Sequence, residues 1–495
     1  MVVLAEYSKL LVRRFLFLLI LISAASTPIL ALKQVYRLDK LVTDVYATHP
    51  FFKSTEIKRE LAKLAIFKEN SFTDTSYTIN PTYSYAKPVQ LSPFTPDKTK
   101  NLGLNSSLSK KLWKTGGLLG ASLGIASSES SFSSSQAQQL GLLSNNYEYS
   151  IGINYIHPLL KNKDGVLDKL NGHIKTYQYQ QTLIQLADQE QQFVYGLINQ
   201  FLDWYGHQQE LTNLKDRYSI SKTLFFDTKK KYKKNIAERV DLIQSEDSLK
   251  NLEQLIILQQ GKVESKINQL ELVSATTIND ALPKLRLSYV PPLPTINSDL
   301  FKNVPQIALL HAQKELLVFQ KAMIAETNQP TLDLTVGANL NSGDSTFGES
   351  FKFNKPGYSM AVTYSDSIEK TNHKIDDKIL EESIQDLELS IDSSILTLQA
   401  SLVDIKTQYS SIINVISANE LRLVLAKNRV KEEIKRYNHG RGQFSFVVQA
   451  QDNVQFIESI LLQNKISIYQ LYFQFMRTLG LLDKAIENLQ NEDII

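Results

Sequence analysis

The chain of 495 residues contains no cysteine. Disulfides, thiolate metal sites, cysteine nucleophiles and a lipidated N-terminal cysteine are all excluded. Proline is scarce where it matters: all fourteen prolines fall outside residues 159–282 and 357–495. A proline inside a helix removes a hydrogen bond and clashes with the preceding turn, at about 3 kcal/mol. Two proline-free runs of 124 and 139 residues therefore permit very long helices. Net charge is only +3, so no overall field draws the chain to nucleic acid. Beyond the N-terminus, no apolar stretch reaches the ~20 residues of a membrane-spanning helix. If the mature chain sits in a membrane, it does so as β-strands.

The N-terminus reads as a secretory signal, residues 1–31. Arg13 and Arg14 are its positive region, Phe15–Ala25 its apolar core, and Ala25 or Ala31 its cleavage point. A membrane anchor is the competing reading. The apolar core of about 11 residues falls short of a span, which favours cleavage.

Alternation with period two marks the strands. Tyr77, Ile79, Pro81, Tyr83 and Tyr85 interleave with Thr78, Asn80, Thr82 and Ser84. Tyr147, Tyr149, Ile151, Ile153 and Tyr155 do the same, as do Leu332, Leu334, Val336, Ala338 and Leu340, and Tyr358, Met360, Val362 and Tyr364. In a soluble sandwich the apolar face is core; in a membrane barrel it meets lipid. Alternation alone does not choose between them. The segment 100–146 holds two further alternating runs, Leu102–Leu108 and Ala121–Ala126, around Thr115-Gly116-Gly117. It reads as an extra hairpin or a large loop.

Long helices follow each strand set. Phe193, Leu197, Phe201 and Tyr205, with Val194, Ile198 and Leu202 beside them, form one apolar stripe. Val454, Ile457, Leu461, Ile468, Tyr472, Phe475 and Leu479 keep a coiled-coil rhythm. A helix over 166–230 would be roughly 100 Å long and needs neighbours to cover it.

The layout occurs twice. Tyr232-Lys-Lys-Asn235 aligns with Tyr437-Asn-His-Gly440 at an offset of 205, and Tyr149-Ser-Ile151 with Tyr358-Ser-Met360 at 209. Asn235 and Gly440 suit a left-handed turn between helices. Pro81–Tyr85 aligns with Pro330–Leu334 at an offset of 249, so the first half is about 44 residues longer, the surplus falling around 100–146. Amphipathic helices near Pro50 and from Pro305 open the two halves. The expected division is 32–278, a proline-rich linker 279–304, 305–485, and a tail 486–495.

On this order and spacing the chain resembles the TolC-like outer-membrane efflux proteins, across essentially all of its mature length. Pro158-Leu159-Leu160 at the strand-to-helix junction, Tyr437…Gly440…Ala450 and Tyr232…Asn235…Asp241…Ser245 carry the resemblance. Ser365-Asp366-Ser367 departs from it, standing where a Pro-Leu-aromatic junction is usual. So do Phe446 and Gln449, which stand where the family can carry constricting acidic residues.

The resemblance implies a mixed α/β membrane protein, mainly α. Long coiled-coil helical hairpins would form a periplasmic α-barrel beneath a short transmembrane β-barrel. A homotrimer in outer-membrane lipid would draw four strands from each subunit. It would serve as the passive exit duct of a tripartite efflux pump or a type I secretion system. Its partners would be a periplasmic adaptor and, through it, an inner-membrane transporter.

The site would then be an aperture at the turns: Tyr232, Asn235, Asp241, Tyr437, Gly440, Phe446 and Gln449. Lys229, Lys230, Lys231, Lys233 and Lys234 read either as a solvated helix end or as an adaptor-docking surface. No cofactor, metal or nucleic acid is expected. Gly120-Ala121-Ser122-Leu123-Gly124 matches a serine-hydrolase pattern, but in alternating serine-rich sequence it reads as a small-residue strand, and no enzyme is expected. A non-channel coiled-coil scaffold or adhesin is the other class; it has no need of paired strands with one apolar face.

Overall fold

A computed structural model describes residues 35–495 except 90, 93, 141–144, 279–280, 297, 302–303 and 354. The expected signal lies outside the described residues. The described residues begin with β1 (Val35–Tyr36), α1 (Leu38–Thr48) and α2 (Pro50–Asn70). Pro50 begins α2 at a position where its missing N–H costs nothing, and the His49 ring accepts from the Phe51 N–H to cap it. Strands β2 (Ser76–Ala86), β3 (Lys98–Leu112) and β4 (Gly117–Ser131) follow, then a short α3 (Ser135–Gln139) and β5 (Asn145–Pro158). Two long helices come next, α4 (Leu170–Lys233) and α5 (Arg239–Ser274). Beyond β6 (Leu282–Pro283) and a short α6 (Ser298–Phe301), the order runs α7 (Pro305–Thr327), β7 (Thr331–Asp344), β8 (Lys355–Ser365), α8 (Thr371–Asn438), α9 (Phe444–Thr478) and α10 (Leu482–Asn491).

The 64 residues of α4 and 68 of α8 each make a rod about 100 Å long. No helix among the described residues is long and apolar enough to cross a membrane. The two stripes read from the sequence meet in the core: Val194, Leu197, Ile198, Phe201 and Leu202 of α4 are buried with Leu461, Ile468, Tyr472 and Phe475 of α9. The connection from α5 to α7 is laced across these helices. Its β6 pairs in parallel with β1, and the Tyr469 hydroxyl donates to the carbonyls of Arg286 (2.8 Å) and Tyr289 (3.0 Å). Residues 486–495, read as a tail, prove to be the rest of α10 plus a buried Ile494–Ile495 pair. They cap this core because Leu482, Ala485, Ile486 and Leu489 share one face of a short amphipathic helix.

One antiparallel sheet has the strand order β2-β3-β4-β5-β7-β8. This corrects the expected four strands per subunit to six. Segment 100–146 supplies two strands of fifteen residues each, β3 and β4, on either side of the turn at Trp113–Gly116, beginning at Lys98. The hydrolase-like Gly120–Gly124 lies in the middle of β4, with none of the strand–turn–helix setting that a nucleophile requires.

The register brings most of the large apolar side chains to one face, with Leu118 and Ile156 paired on the other. Tyr77 stands opposite Leu108, Tyr83 opposite Leu102, Leu104 opposite Ile125, Leu123 opposite Ile151, Ile151 opposite Leu340 and Val336 opposite Met360. The other face carries Thr82, Asn101, Asn105, Ser107, Ser122, Ser150, Asn154, Asn339, Ser359 and Thr363. Tyr83 (68% exposed), Ile153 (58%) and Met360 (74%) have nothing over them. A soluble sheet would cover such a face with a second layer.

Candidate functional site

The two turns named from the sequence sit together at the end of the helices remote from the sheet. Each is built the same way. After α4, Asn235 takes a left-handed backbone (φ 57°); its N–H reaches the Tyr232 carbonyl at 3.0 Å, and the Ile236 N–H reaches the Lys231 carbonyl at 2.9 Å. After α8, Gly440 is left-handed (φ 69°), with the corresponding bonds Gly440 to Tyr437 (3.1 Å) and Arg441 to Arg436 (2.9 Å). These paired bonds satisfy the last carbonyls of a helix when the residue after its end turns left-handed.

The turns differ in what they bury. Tyr437, Phe444 and Val447 form a small cluster with Leu224 of α4, flanked by Ile434 and Val448. The rings of Tyr437 and Phe444 meet edge to face, with centroids 5.3 Å apart. Burial raises the Tyr437 phenol above its ordinary pKa. Tyr232 is exposed, as are Ile236, Val240 and Ile243 beside it. Asp241 is half-buried, while Phe446 and Gln449 face solvent on the first turns of α9.

Lys231 departs from the other four lysines. Its Nζ lies 4.4 Å from the Tyr437 ring centroid and donates to Asn438 Oδ1 at 2.6 Å. Burial lowers its pKa, opposed by the charges of Asp227 and Asp241. It thus ties one helical hairpin to the other. Lys229, Lys230, Lys233 and Lys234 are exposed, with Lys230 at 3.8 Å from Asp227 and Lys229 over the Phe225 ring.

Sequence reasoning missed Phe444, Leu224 and an ion pair. Leu224 completes the tip cluster, and Arg217 of α4 bridges to Asp452 of α9. Arg217 lies two helical turns before Leu224 on the same face, a periodicity that was available. Its partner lies 235 positions away and no spacing rule connects them.

No family model matches the chain, and no curated protein matches it in sequence. Solved structures do. CusC, described in connection with folding and transmembrane channel formation, superposes with a TM-score of 0.67 at 13% identity, covering 93% of this chain and 99% of that one. The outer membrane protein VceC of Vibrio cholerae gives 0.62 at 10% identity, over 90% and 96% of the two chains. The open MtrE outer membrane channel of Neisseria gonorrhoeae gives 0.62 at 12%, over 94% and 96%. The chain has the fold of the TolC-like outer-membrane efflux channels. At these identities the likeness speaks for the fold alone.

Proposed function

We propose that the protein is an outer-membrane channel, a passive exit duct with its helices in the periplasm of a diderm bacterium. One observation carries this reading. Six strands share a mainly apolar face, interrupted at Ser106 and Ser127 and by the Lys100–Glu129 pair near the strand ends, with an amide- and hydroxyl-rich face behind it. Strands of 11–15 residues are long enough to cross the ~25 Å apolar band of an outer membrane at a tilt. Tyrosines such as Tyr77, Tyr83, Tyr85 and Tyr364 lie toward strand ends, where an amphipathic ring suits a membrane interface.

The sheet has two free edges, β2 and β8. Lipid cannot satisfy edge N–H and C=O groups, so β8 of one copy must pair with β2 of the next. The helices also call for neighbours. Leu389, Leu396, Val403, Leu421 and Leu425 of α8 and Ile257 and Leu272 of α5 are all more than half exposed. Packing between copies removes these stripes from water. Three copies, as the family resemblance implies, close both the sheet and the helical cylinder.

Transport through such a duct draws its energy from an inner-membrane transporter reached through a periplasmic adaptor, in a tripartite pump or a type I secretion system. The two turns form the aperture. With Phe446 and Gln449 near the start of α9, closure rests on apolar and amide packing rather than on an acidic ring. Lys229, Lys230, Lys233 and Lys234 form the surface offered to the adaptor, with Lys231 internal to the tip.

Single-channel recording of the detergent-extracted protein in a planar bilayer tests this. Discrete steps, larger or more frequent in Phe446→Ala, are expected. A folded, inserted oligomer silent in both forms refutes the duct.

A further inference from the structure

Among the described residues the β3–β4 hairpin has no counterpart beside β7 and β8. We propose that this hairpin is a permanent part of the transmembrane wall and widens the exit, so that the outer-membrane barrel admits bulkier, hydrated cargo than four strands per subunit allow. The proposal rests on the channel reading and adds a size to it.

Three observations carry it. The first is direction. β2 runs away from the helices and β5 runs back toward them, so the two would be antiparallel neighbours without the hairpin. Inserting two antiparallel strands between them preserves the sense of both. The second is register. Leu102, Leu104 and Leu108 of β3 and Leu119, Leu123 and Ile125 of β4 fall on the same face as Ile151, Val336 and Met360. On the opposite face, the space a Cβ would need at Gly120 is taken by the Asn154 side chain, as the Asn339 side chain fills it at Gly357. The apolar and polar faces of the other four strands therefore carry on across β3 and β4, the apolar one interrupted only at Ser106, Ser127 and the charged strand ends.

The third is anchorage. The β3–β4 turn docks on the junction between β5 and α4. Lys111 pairs at 2.5 Å with Asp168, a carboxylate only 8% exposed, which also accepts from Asn162 at 3.0 Å. Lys169 Nζ stands 5.3 Å from the Trp113 ring centroid, and the Thr115 and Tyr155 hydroxyls are 3.2 Å apart. Gly116 (φ 70°) lies so close to the Asn162 carbonyl that a Cβ there would collide with it. A mobile surface loop has no need of such a seat.

Strand number sets barrel width. At a spacing of about 4.8 Å and a tilt near 40°, twelve strands give a backbone radius of about 12 Å and eighteen about 18 Å. Three copies of this six-stranded sheet make the larger barrel, with more than twice the cross-section.

The cysteine-free chain allows a clean test. Single cysteines replace Leu102, Leu104 and Leu108 on one face of β3 and Asn101, Asn105 and Ser107 on the other. Leu340→Cys and Asn339→Cys on β7 serve as controls. Oligomers in liposomes are then treated with a water-soluble maleimide and a lipid-phase maleimide. Strict alternation on β3, matching β7, is expected. Uniform aqueous labelling of β3 with alternation on β7 overturns the proposal and leaves the channel standing. Aqueous labelling of both strands overturns the channel itself.

Width is read separately, from the size of polyethylene glycol that lowers conductance when added on the strand side, in Phe446→Ala and in Phe446→Ala lacking residues 98–131. A cut-off smaller in the deletion is expected, and an unchanged cut-off in an inserted deletion overturns the widening. If the deletion does not insert, the full-length cut-off decides: entry by polymers of about 10 Å radius supports the wide barrel, and exclusion refutes it.

Discussion

The two helical turns at the tip have the same backbone and opposite surroundings. Asn235 and Gly440 are both left-handed, and the hydrogen bonds around them correspond one for one. Yet Tyr437 is 7% exposed and Tyr232 38%. The α8–α9 turn encloses Phe444 and Val447 against Leu224 of the neighbouring hairpin, while the α4–α5 turn leaves Ile236, Val240 and Ile243 bare. Turn geometry is set by local chemistry, here a residue that tolerates a positive φ. Burial is set by which side chains a neighbouring element can reach. One turn is a clamp within the subunit; the other is a free surface that a second copy or a partner can occupy.

The largest expected effect breaks the clamp. Phe444→Ala removes a ring 2% exposed and leaves a cavity, at about 3–5 kcal/mol. Ile243→Ala, at a position 55% exposed, changes stability by no more than about 0.5 kcal/mol in the isolated subunit. Native-state hydrogen exchange across 434–448 and 232–243 measures both. Equal losses would show that the two turns are packed alike.

Next come the backbone substitutions. Gly440→Ala forces a Cβ into the left-handed region, at about 1–2 kcal/mol. Asn235→Gly relieves a residue already held there and gains up to about 1 kcal/mol. Opposite signs in thermal unfolding of the purified protein are the expected result. Lys231→Met follows. It keeps most of the packing and loses the cation over Tyr437, costing about 1 kcal/mol at a half-buried site. Hydrogen exchange at Tyr437 and Asn438 reads it, and no change there would mean that the cation and the ring do not interact.

Much of this was legible in the sequence. The left-handed positions at 235 and 440, the long helices and the alternating strands follow from local rules, because proline, glycine, asparagine and periodicity act within a few residues. The strand count was not. Segment 100–146 alternates, but alternation does not say whether a run joins a sheet or leaves it; that is settled by the seat of Trp113 and Lys111 against Asp168 and Lys169, more than fifty residues further on. Lys231 was also hidden. In the run 229–234 all five lysines look alike, and only helical phase relative to α8 turns one of them inward. The tail at 486–495 escaped for the same reason: its short apolar face has meaning only against a core made elsewhere.

The smallest effect belongs to the outward lysines. Two opposing electrostatic effects act at Lys233 and Lys234. Cations in the last turn of a helix are favoured by its dipole, by about 0.3–1 kcal/mol at low ionic strength. Each is also repelled by like charges three or four residues away, by a few tenths of a kcal/mol per pair. For residues facing solvent these nearly cancel, so replacing both with alanine is expected to shift the tip's exchange stability by less than about 0.5 kcal/mol. Raising salt screens both effects and leaves the small difference in place. A loss beyond about 1 kcal/mol in dilute buffer that vanishes in high salt would place a carboxylate partner against these lysines. The free turn would then be a second clamp.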